Sequence, residues 1–448
     1  MTKSADYDKV QVMEKELMEG RLHFHNPWWQ SNQVPGSLTP KFKRQIYKKL
    51  LSYLELDRII VLKGPRRTGK STLIYQLIEY LLKQNNTPAE NILYLTFDDP
   101  TIRVDFFEIM KMYENISKSP FDKGDFKYVF LDEVQFLPNW ASTIKMFYDK
   151  KLKIKLFVSG SAASLLIKQS ESLAGRTIED VVLPLSFFEW KEYHSNLNLV
   201  TNISDEVLFK RYMDKSGFLH LLAIDDKEMW TRMLTEDVVT KAIYKDSVEI
   251  FGLREPAVLE KLFSYLSAAS SGLVNLVKLS SMLGIDRIQL RKYLSYLENT
   301  LLIFPLGKFS KQIRETIRSQ EKIHLIDQGF FHIYQTPKDF AFETIVARHI
   351  WEKFPHNTYF WRDRQEVDIV VEKGKNLHPI EVKNTTSASR KDLLGIVSFC
   401  RKYKCKQGTV VYRGIKDKQM IAGINIEFYP VWEALINVEK IFPDTPAH

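Results

Sequence analysis

The chain has 448 residues, 44% of them hydrophobic and 12% aromatic, which is enough for large packed cores and excludes disorder of the whole chain. A formal net charge of +9 favours contact with a polyanion without demanding it. Only two cysteines occur, Cys400 and Cys405, so a disulfide framework and a cysteine-rich zinc site are both excluded and the two are read as reduced thiols. No apolar run reaches the roughly 18 residues of a membrane helix and the first residues hold no apolar signal core, so a soluble, cytoplasmic protein without a membrane partner is expected. At about 150 residues per domain the length predicts roughly three domains.

Residues 1–40 read as an arm that packs on the following domain, with Trp28 and Trp29 after Asn26-Pro27 and a turn at Pro35-Gly36. Ile46, Leu50 and Leu54 recur at helical spacing within 41–55. Short apolar runs follow at Ile59–Leu62, Ile92–Thr96, Tyr128–Leu131 and Leu156–Val158, separated by helical patterns. Such alternation predicts a parallel α/β sheet over 41–190. Residues 191–255 read as a helical lid or linker and 256–335 as helices followed by a strand. Residues 336–448 return to mixed α/β, with strands expected at Val367–Val371, Pro379–Val382 and Thr409–Tyr412.

Gly64-Pro65-Arg66-Arg67-Thr68-Gly69-Lys70-Ser71 fits G-x-x-x-x-G-K-[ST], between the Ile59–Leu62 strand and a helical run that begins at Thr72. The two glycines let backbone wrap a phosphate, and the helix start adds free N–H donors and a positive dipole end. Lys70 is expected to reach the β- and γ-phosphates of ATP, and Ser71 to offer its hydroxyl to Mg²⁺. Pro65, Arg66, Arg67, Thr68 and Thr72 complete the expected cradle, where Arg66 and Arg67 can touch phosphate or a partner.

The strand Tyr128-Val129-Phe130-Leu131 ends in Asp132-Glu133. Downstream of a P-loop this reads as the second nucleotide motif, with Asp132 holding Mg²⁺ through water and Glu133 polarising the attacking water. The Ile92–Thr96 run, lying between the motifs in sequence, points to the additional-strand class of P-loop ATPases. Ser159, in Val158-Ser159-Gly160-Ser161, is expected either to sense the γ-phosphate or to cap the next helix. Arg176 is a candidate arginine finger, in cis or from a neighbouring subunit of a homo-oligomer; a surface ion pair is the other reading.

Helices are expected from Ala257 to about Ala269, over Leu276–Leu283, and from Arg287 to about Asn299 after a Gly284-Ile285-Asp286 turn, with Leu302–Gly307 starting a wing. Leu290, Leu294 and Leu297 form the buried stripe of the last helix, while Gln289, Arg291 and Lys292 point away from it. Basic residues outnumber acidic ones seven to three between Gly284 and Gln320. This is a winged-helix pattern with a basic helix suited to DNA. A protein-interaction winged helix with a solvated basic face fits as well.

Twelve residues intervene between Asp368 and Glu381-Val382-Lys383, each on a strand-like run. Glu381 and Lys383 share one face of a strand. Asp368 and Glu381 are expected to share Mg²⁺ or Mn²⁺, Lys383 to activate or stabilise hydroxide, and Glu343 on a preceding helix to add a third carboxylate. This is the D…(D/E)-x-K arrangement of restriction endonucleases. A salt-bridged Glu381, paired with Lys383 or with Arg362 or Arg364, is the structural alternative.

Together, Gly64–Ser71, Asp132-Glu133, Ser159-Gly160-Ser161, Leu173-Ala174-Gly175-Arg176 and Pro184-Leu185-Ser186-Phe187 resemble a bacterial and archaeal family of AAA-type ATPases with a winged helix and a C-terminal restriction-endonuclease-like domain. Leu325-Ile326-Asp327-Gln328-Gly329 and Glu343, Asp368, Glu381-Val382-Lys383 look like that family's C-terminal half, with Asp327 read as structural. The resemblance covers about residues 41–415 and implies ATP binding and hydrolysis. Many such members are thought to keep the nuclease fold without activity, whereas the four charged positions here remain. The expectation is therefore an Mg²⁺-dependent, DNA-binding ATPase with a C-terminal nuclease. The alternatives are a nucleotide-dependent switch that binds protein partners on a non-catalytic scaffold, and a defence-type signalling ATPase that restrains a toxic nuclease.

Overall fold

The computed structural model describes residues 16–103, 105–160, 173–196, 203–312, 320–334 and 338–442. Ser161, in the expected Ser159-Gly160-Ser161 turn, and the first fifteen residues of the arm lie outside them. The chain divides into two compact units, Met1–Val182 and Leu183–His448. No helix among the described residues is long and apolar enough to cross a membrane.

The first unit holds β1 (Ile59–Lys63), β2 (Ile92–Thr96), β3 (Lys127–Asp132), β4 (Ile154–Gly160) and β5 (Thr177–Val181) in the order β2-β3-β4-β1-β5, all parallel. A parallel sheet covered on both faces needs strands apolar on both sides, and β1 is buried at every position. Its residues alternate between two cores. Ile59 and Val61 pack with the Phe106–Ser117 and Trp140–Asp149 helices, while Ile60 and Leu62 pack with the Lys70–Lys83 helix.

Two features differ from expectation. The strand inserted between β1 and β3 is β4; the Ile92–Thr96 run takes the outer edge. And β5 carries no apolar run, because as an edge strand its Glu179 and Asp180 reach Lys63 and Lys49. The exposed edge of β2 is covered by the arm. The Asn26 amide accepts from the Tyr94 N–H at 2.6 Å and donates to the Tyr94 carbonyl at 3.0 Å. Both indoles, Trp28 and Trp29, donate to the Ile92 carbonyl. Side chains thus satisfy the backbone groups that a sixth strand would have paired.

The second unit begins with helices Phe187–Asn196, Asp205–Met213 and Lys227–Leu234. Helices Pro256–Ala268, Leu276–Leu283 and Arg287–Asn299 follow, close to their expected bounds. The Asn275 and Asp286 side chains cap the second and third, and Gly284 ends the second at φ 67°. An eight-stranded sheet follows: β6 (Ile303–Lys308), β7 (Lys322–Leu325), β8 (Thr358–Arg362), β9 (Glu366–Lys373), β10 (Asn376–Lys383), β11 (Gln407–Tyr412), β12 (Asp417–Ile421) and β13 (Ile424–Pro430). Their order is β12-β13-β11-β10-β9-β8-β6-β7.

The β6–β7 hairpin, at the place expected for a wing, is antiparallel. It does not stand free: Gly307 and Lys308 of β6 pair with Tyr359 and Phe360 of β8, so the hairpin forms the rim of the C-terminal sheet. Asp327, just after β7, accepts from Ser216 Oγ and from the Gly217 and Gly329 N–H groups, each at 2.8 Å, which fits a structural staple.

Candidate nucleotide site and carboxylate cluster

β1 delivers the chain into the Gly64–Gly69 loop, and the Lys70–Lys83 helix starts directly after Gly69, whose φ of 93° few other residues tolerate. A Cβ on Gly64 would lie 2.2 Å from the Val182 carbonyl oxygen, so only glycine lets the loop pass that strand end. Arg67 is also left-handed, at φ 65°. Inside the loop, Lys70 Nζ donates to the Gly64 and Pro65 carbonyls at 3.0 and 2.9 Å, and Thr68 Oγ1 donates to Pro65. Buried Arg44 holds the Thr68 carbonyl at 3.0 Å from outside, a support with no motif to reveal it. Pro65 is buried, Arg66 and Thr72 are half-buried, and Arg67 is exposed.

Asp132, at the end of β3, collects donors from four elements. Ser71 Oγ lies 2.5 Å from Oδ2 and Tyr94 Oη 3.0 Å from the same oxygen. Ser159 Oγ and the Glu133 N–H, the latter at 3.1 Å, donate to Oδ1. Parallel register explains the convergence: Thr96 of β2 stands beside Asp132, and Leu131 is paired with Val158, one residue before Ser159. Ser159 is fully buried and its hydroxyl donates to this carboxylate. Tyr94 carried no sequence signal beyond its place in an apolar run. Burial, with the Asp132 charge beside it, raises the Tyr94 phenol well above its usual range.

Glu133 has left-handed backbone, φ 54° and ψ 41°, which costs a non-glycine residue about 1 kcal/mol and is typical of functional turns. Its carboxylate accepts from the Gln135 amide. Burial raises its pKa; the Lys70 charge opposes this, Asp132 adds to it, and Arg66 opposes it again. Glycine cradle, lysine, and the Ser71 and Asp132 oxygens brought together fit a magnesium nucleotide.

Arg176 stands elsewhere. Its carbonyl accepts from the Ile59 N–H at the start of β1, and β5 runs from there parallel to β1. Four residues of strand, roughly 13 Å, separate it from the loop end of the sheet. Its guanidinium grips Asp149 in a fork, at 2.7 and 3.2 Å. The reading of Arg176 as a finger in cis is therefore set aside.

In the second unit, Glu343 on the Lys338–Lys353 helix, Glu366 and Asp368 on β9 and Glu381 on β10 come together, joining the carboxylates singled out in the sequence. Between them stands a residue the sequence did not single out. Lys322 Nζ of β7 lies 2.6 Å from Glu366, 3.0 Å from Glu343 and 3.7 Å from Asp368, with 3% of its side chain exposed. Lys383 pairs with Glu381 at 2.7 Å, the salt-bridged alternative, and Arg362 pairs with Glu366. Asp368 Oδ2 accepts from the Val382 N–H at 2.9 Å.

Burial, with Asp368 adding and Lys322 opposing, lifts Glu343 to about 7. Burial lifts Glu381 well above the carboxylate range, with Asp368 adding and Lys383 opposing. Burial opposes the Lys322 charge, but Glu343, Asp368 and Glu366 outweigh it and hold the ammonium firmly protonated. Among the described residues no group of three or more His, Cys, Asp or Glu is disposed to hold a metal ion. The expected metal pair, Asp368 and Glu381, does not fit a metal in this arrangement, because an ammonium already stands among the carboxylates.

On the Arg287–Asn299 helix, Arg291 and Lys292 are exposed as expected. Gln289 is half-buried and donates to Tyr293 Oη at 3.0 Å, so it lies back along its own helix.

Residues 56–191 match a family model described as an AAA domain. Residues 207–338 and 338–433 match two domains of unknown function. An uncharacterized protein of Haemophilus influenzae is 25% identical over 289 residues, 63% of this chain and 70% of that protein. One from Methanocaldococcus jannaschii is 27% identical over 348 residues, 73% of this chain and 74% of its own length. Among solved structures, Aeropyrum pernix ORC1 in complex with DNA has a TM-score of 0.31 at 11% identity, covering 69% of this chain and 96% of that one. AMPPCP-bound DnaA from Aquifex aeolicus has 0.31 at 15%, covering 61% and 92%. These structural likenesses are loose and leave the assignment to the residues and the family match. Residues 56–191, which hold the glycine loop, Asp132 and Glu133, are thus similar to an AAA domain.

Proposed function

We propose that the chain hydrolyses ATP with Mg²⁺ and uses the cycle to change its hold on DNA. The observation that carries this reading is the convergence of Ser71, Tyr94, Ser159 and the Glu133 N–H on Asp132, beside a glycine loop that closes only without a Cβ. Bound Mg·ATP supplies the electrophilic phosphorus and the charge to be stabilised. The Gly64–Gly69 backbone and Lys70 hold the phosphates. Ser71 and Asp132 hold the magnesium ion, and Tyr94 and Ser159 orient Asp132. The Glu133 carboxylate takes the proton of the attacking water, and the raised pKa brings its basicity nearer to neutrality. Arg176 serves a neighbouring copy in a homo-oligomer.

Arg291 and Lys292, exposed on a capped helix, supply phosphate contacts for DNA. For the C-terminal sheet, Lys322 among the carboxylates favours the switch reading, in which the nuclease-like domain is a scaffold and not a cutter. Two measurements test this function. Lys70→Ala is expected to lose ATP binding while keeping its melting temperature; binding equal to wild type refutes the site. DNA affinity is expected to fall steeply with rising salt, and a flat salt response refutes the DNA reading in favour of a protein partner.

A further inference from the structure

We propose that Lys322 is the resident cation of the C-terminal carboxylate cluster. Its ammonium, held by Glu366, Glu343 and Asp368 with Glu381 beside them, takes the place of a divalent ion, and removing it opens the cluster to one. This deepens the non-cleaving reading of the sheet and stands apart from the ATP site.

Three observations carry it. The first is central placement: Nζ lies within 3.0 Å of two carboxylates and 3.7 Å from a third, from a side chain nearly closed to water. A divalent ion needs oxygen ligands at about 2.0–2.6 Å and would have to share them with that ammonium. Two like charges in one buried pocket repel strongly, so lysine and metal exclude each other. The second is an open ligand position. Glu381 Oε2 is buried without a hydrogen-bond partner, although buried carboxylate oxygens are almost always paired. Lys383 occupies only the other oxygen, Oε1.

The third is where Lys322 comes from. It begins β7, the last strand at the rim of the sheet, and its backbone bridges Leu273, just before the Leu276–Leu283 helix. The carboxylates come from β9, β10 and the Lys338–Lys353 helix. The charge that fills the cluster is thus delivered by the helical block that precedes the sheet, and a shift of that hairpin would withdraw it.

The test is Mn²⁺ binding by the nucleotide-free full chain, read from the loss of the free-ion EPR signal, with thermal melts alongside. Lys322→Ala is expected to gain one Mn²⁺ per chain relative to wild type, and Mn²⁺ is expected to raise its melting temperature. Adding Asp368→Asn is expected to remove both effects. In the wild-type background, Asp368→Asn is expected to leave Mn²⁺ stoichiometry unchanged. Lys322→Gln, closer in volume, repeats the experiment if the alanine variant folds poorly. The proposal is overturned if wild type already holds an Mn²⁺ that Asp368→Asn removes. It is overturned equally if the folded variants gain none, or if neither variant folds even with Mn²⁺. ATP turnover, measured on the same proteins, reports on the other site separately.

Discussion

Ser159→Ala removes one hydroxyl from the fully buried end of β4 and takes away one of two donors on Asp132 Oδ1, leaving the Glu133 N–H at 3.1 Å. A hydrogen bond to a charged group contributes about 1.5–3 kcal/mol. The remaining donor and the two hydroxyls on Oδ2 keep the carboxylate in place but free it to rotate. A loss of ~2 kcal/mol in the oriented state corresponds to roughly 30-fold in rate. The expected result is a kcat about 30-fold lower, with a raised Mg²⁺ requirement and nearly unchanged ATP binding, because the Gly64–Lys70 cradle is untouched. Steady-state phosphate release at several Mg²⁺ concentrations gives kcat, KM and the metal dependence together. Tyr94→Phe tests the other oxygen and should move the same parameters in the same direction. A folded Ser159→Ala protein with wild-type kcat and Mg²⁺ dependence would refute the positioning role.

Other outcomes follow from the same geometry. Gly64→Ala places a methyl 2.2 Å from the Val182 oxygen, and the strained loop should cost about 1–3 kcal/mol in thermal or chemical unfolding and weaken ATP binding; an unperturbed protein would show the loop is not tight. Burial and the Glu321 charge lift Glu298 to about 7 in the folded chain, above its unfolded value. The folded state then holds its proton longer, so stability should fall as pH rises from about 4.5 through 7 and level off above, by on the order of 3 kcal/mol. Urea midpoints of wild type and Glu298→Gln across that range check the sign, since the variant should lose the slope. Replacing both Arg291 and Lys292 with alanine should weaken DNA binding and lower the slope of log affinity against log salt by about 1.8, measured by anisotropy; an unchanged slope would place the DNA elsewhere.

What the sequence made legible was what is local. The P-loop is eight consecutive residues between an apolar strand and a helix, so motif, strand and helix sit in one window, and Asp132-Glu133 closes an unmistakably apolar run. The alternation of such runs with helices was enough for the parallel sheet. Residues that act from afar were not readable in the same way. Tyr94 looks like any core aromatic until parallel register brings β2 beside Asp132. Arg176 fits a finger in cis by its motif alone, and only the pairing of its carbonyl at the start of β1 places it far from the loop end of its own sheet. Lys322 sits in a four-residue strand with no apolar run, 21 residues from Glu343 and 46 from Asp368, and nothing local marks a buried lysine. The carboxylates were visible as a pattern, but the charge that fills them depends on a rim strand supplied by the preceding hairpin.

The central claim, that Asp132 and Glu133 end a working ATP site, is tested most directly by Glu133→Gln in a single experiment that reads both Mg·ATP binding and phosphate release. Wild type is expected to bind and turn over ATP with Mg²⁺. The glutamine variant, which keeps the Gly64–Lys70 cradle and Asp132 but cannot accept the water proton, is expected to bind Mg·ATP and release almost no phosphate. A variant that hydrolyses at the wild-type rate, or a wild-type chain that binds Mg·ATP and never hydrolyses it, would contradict the account.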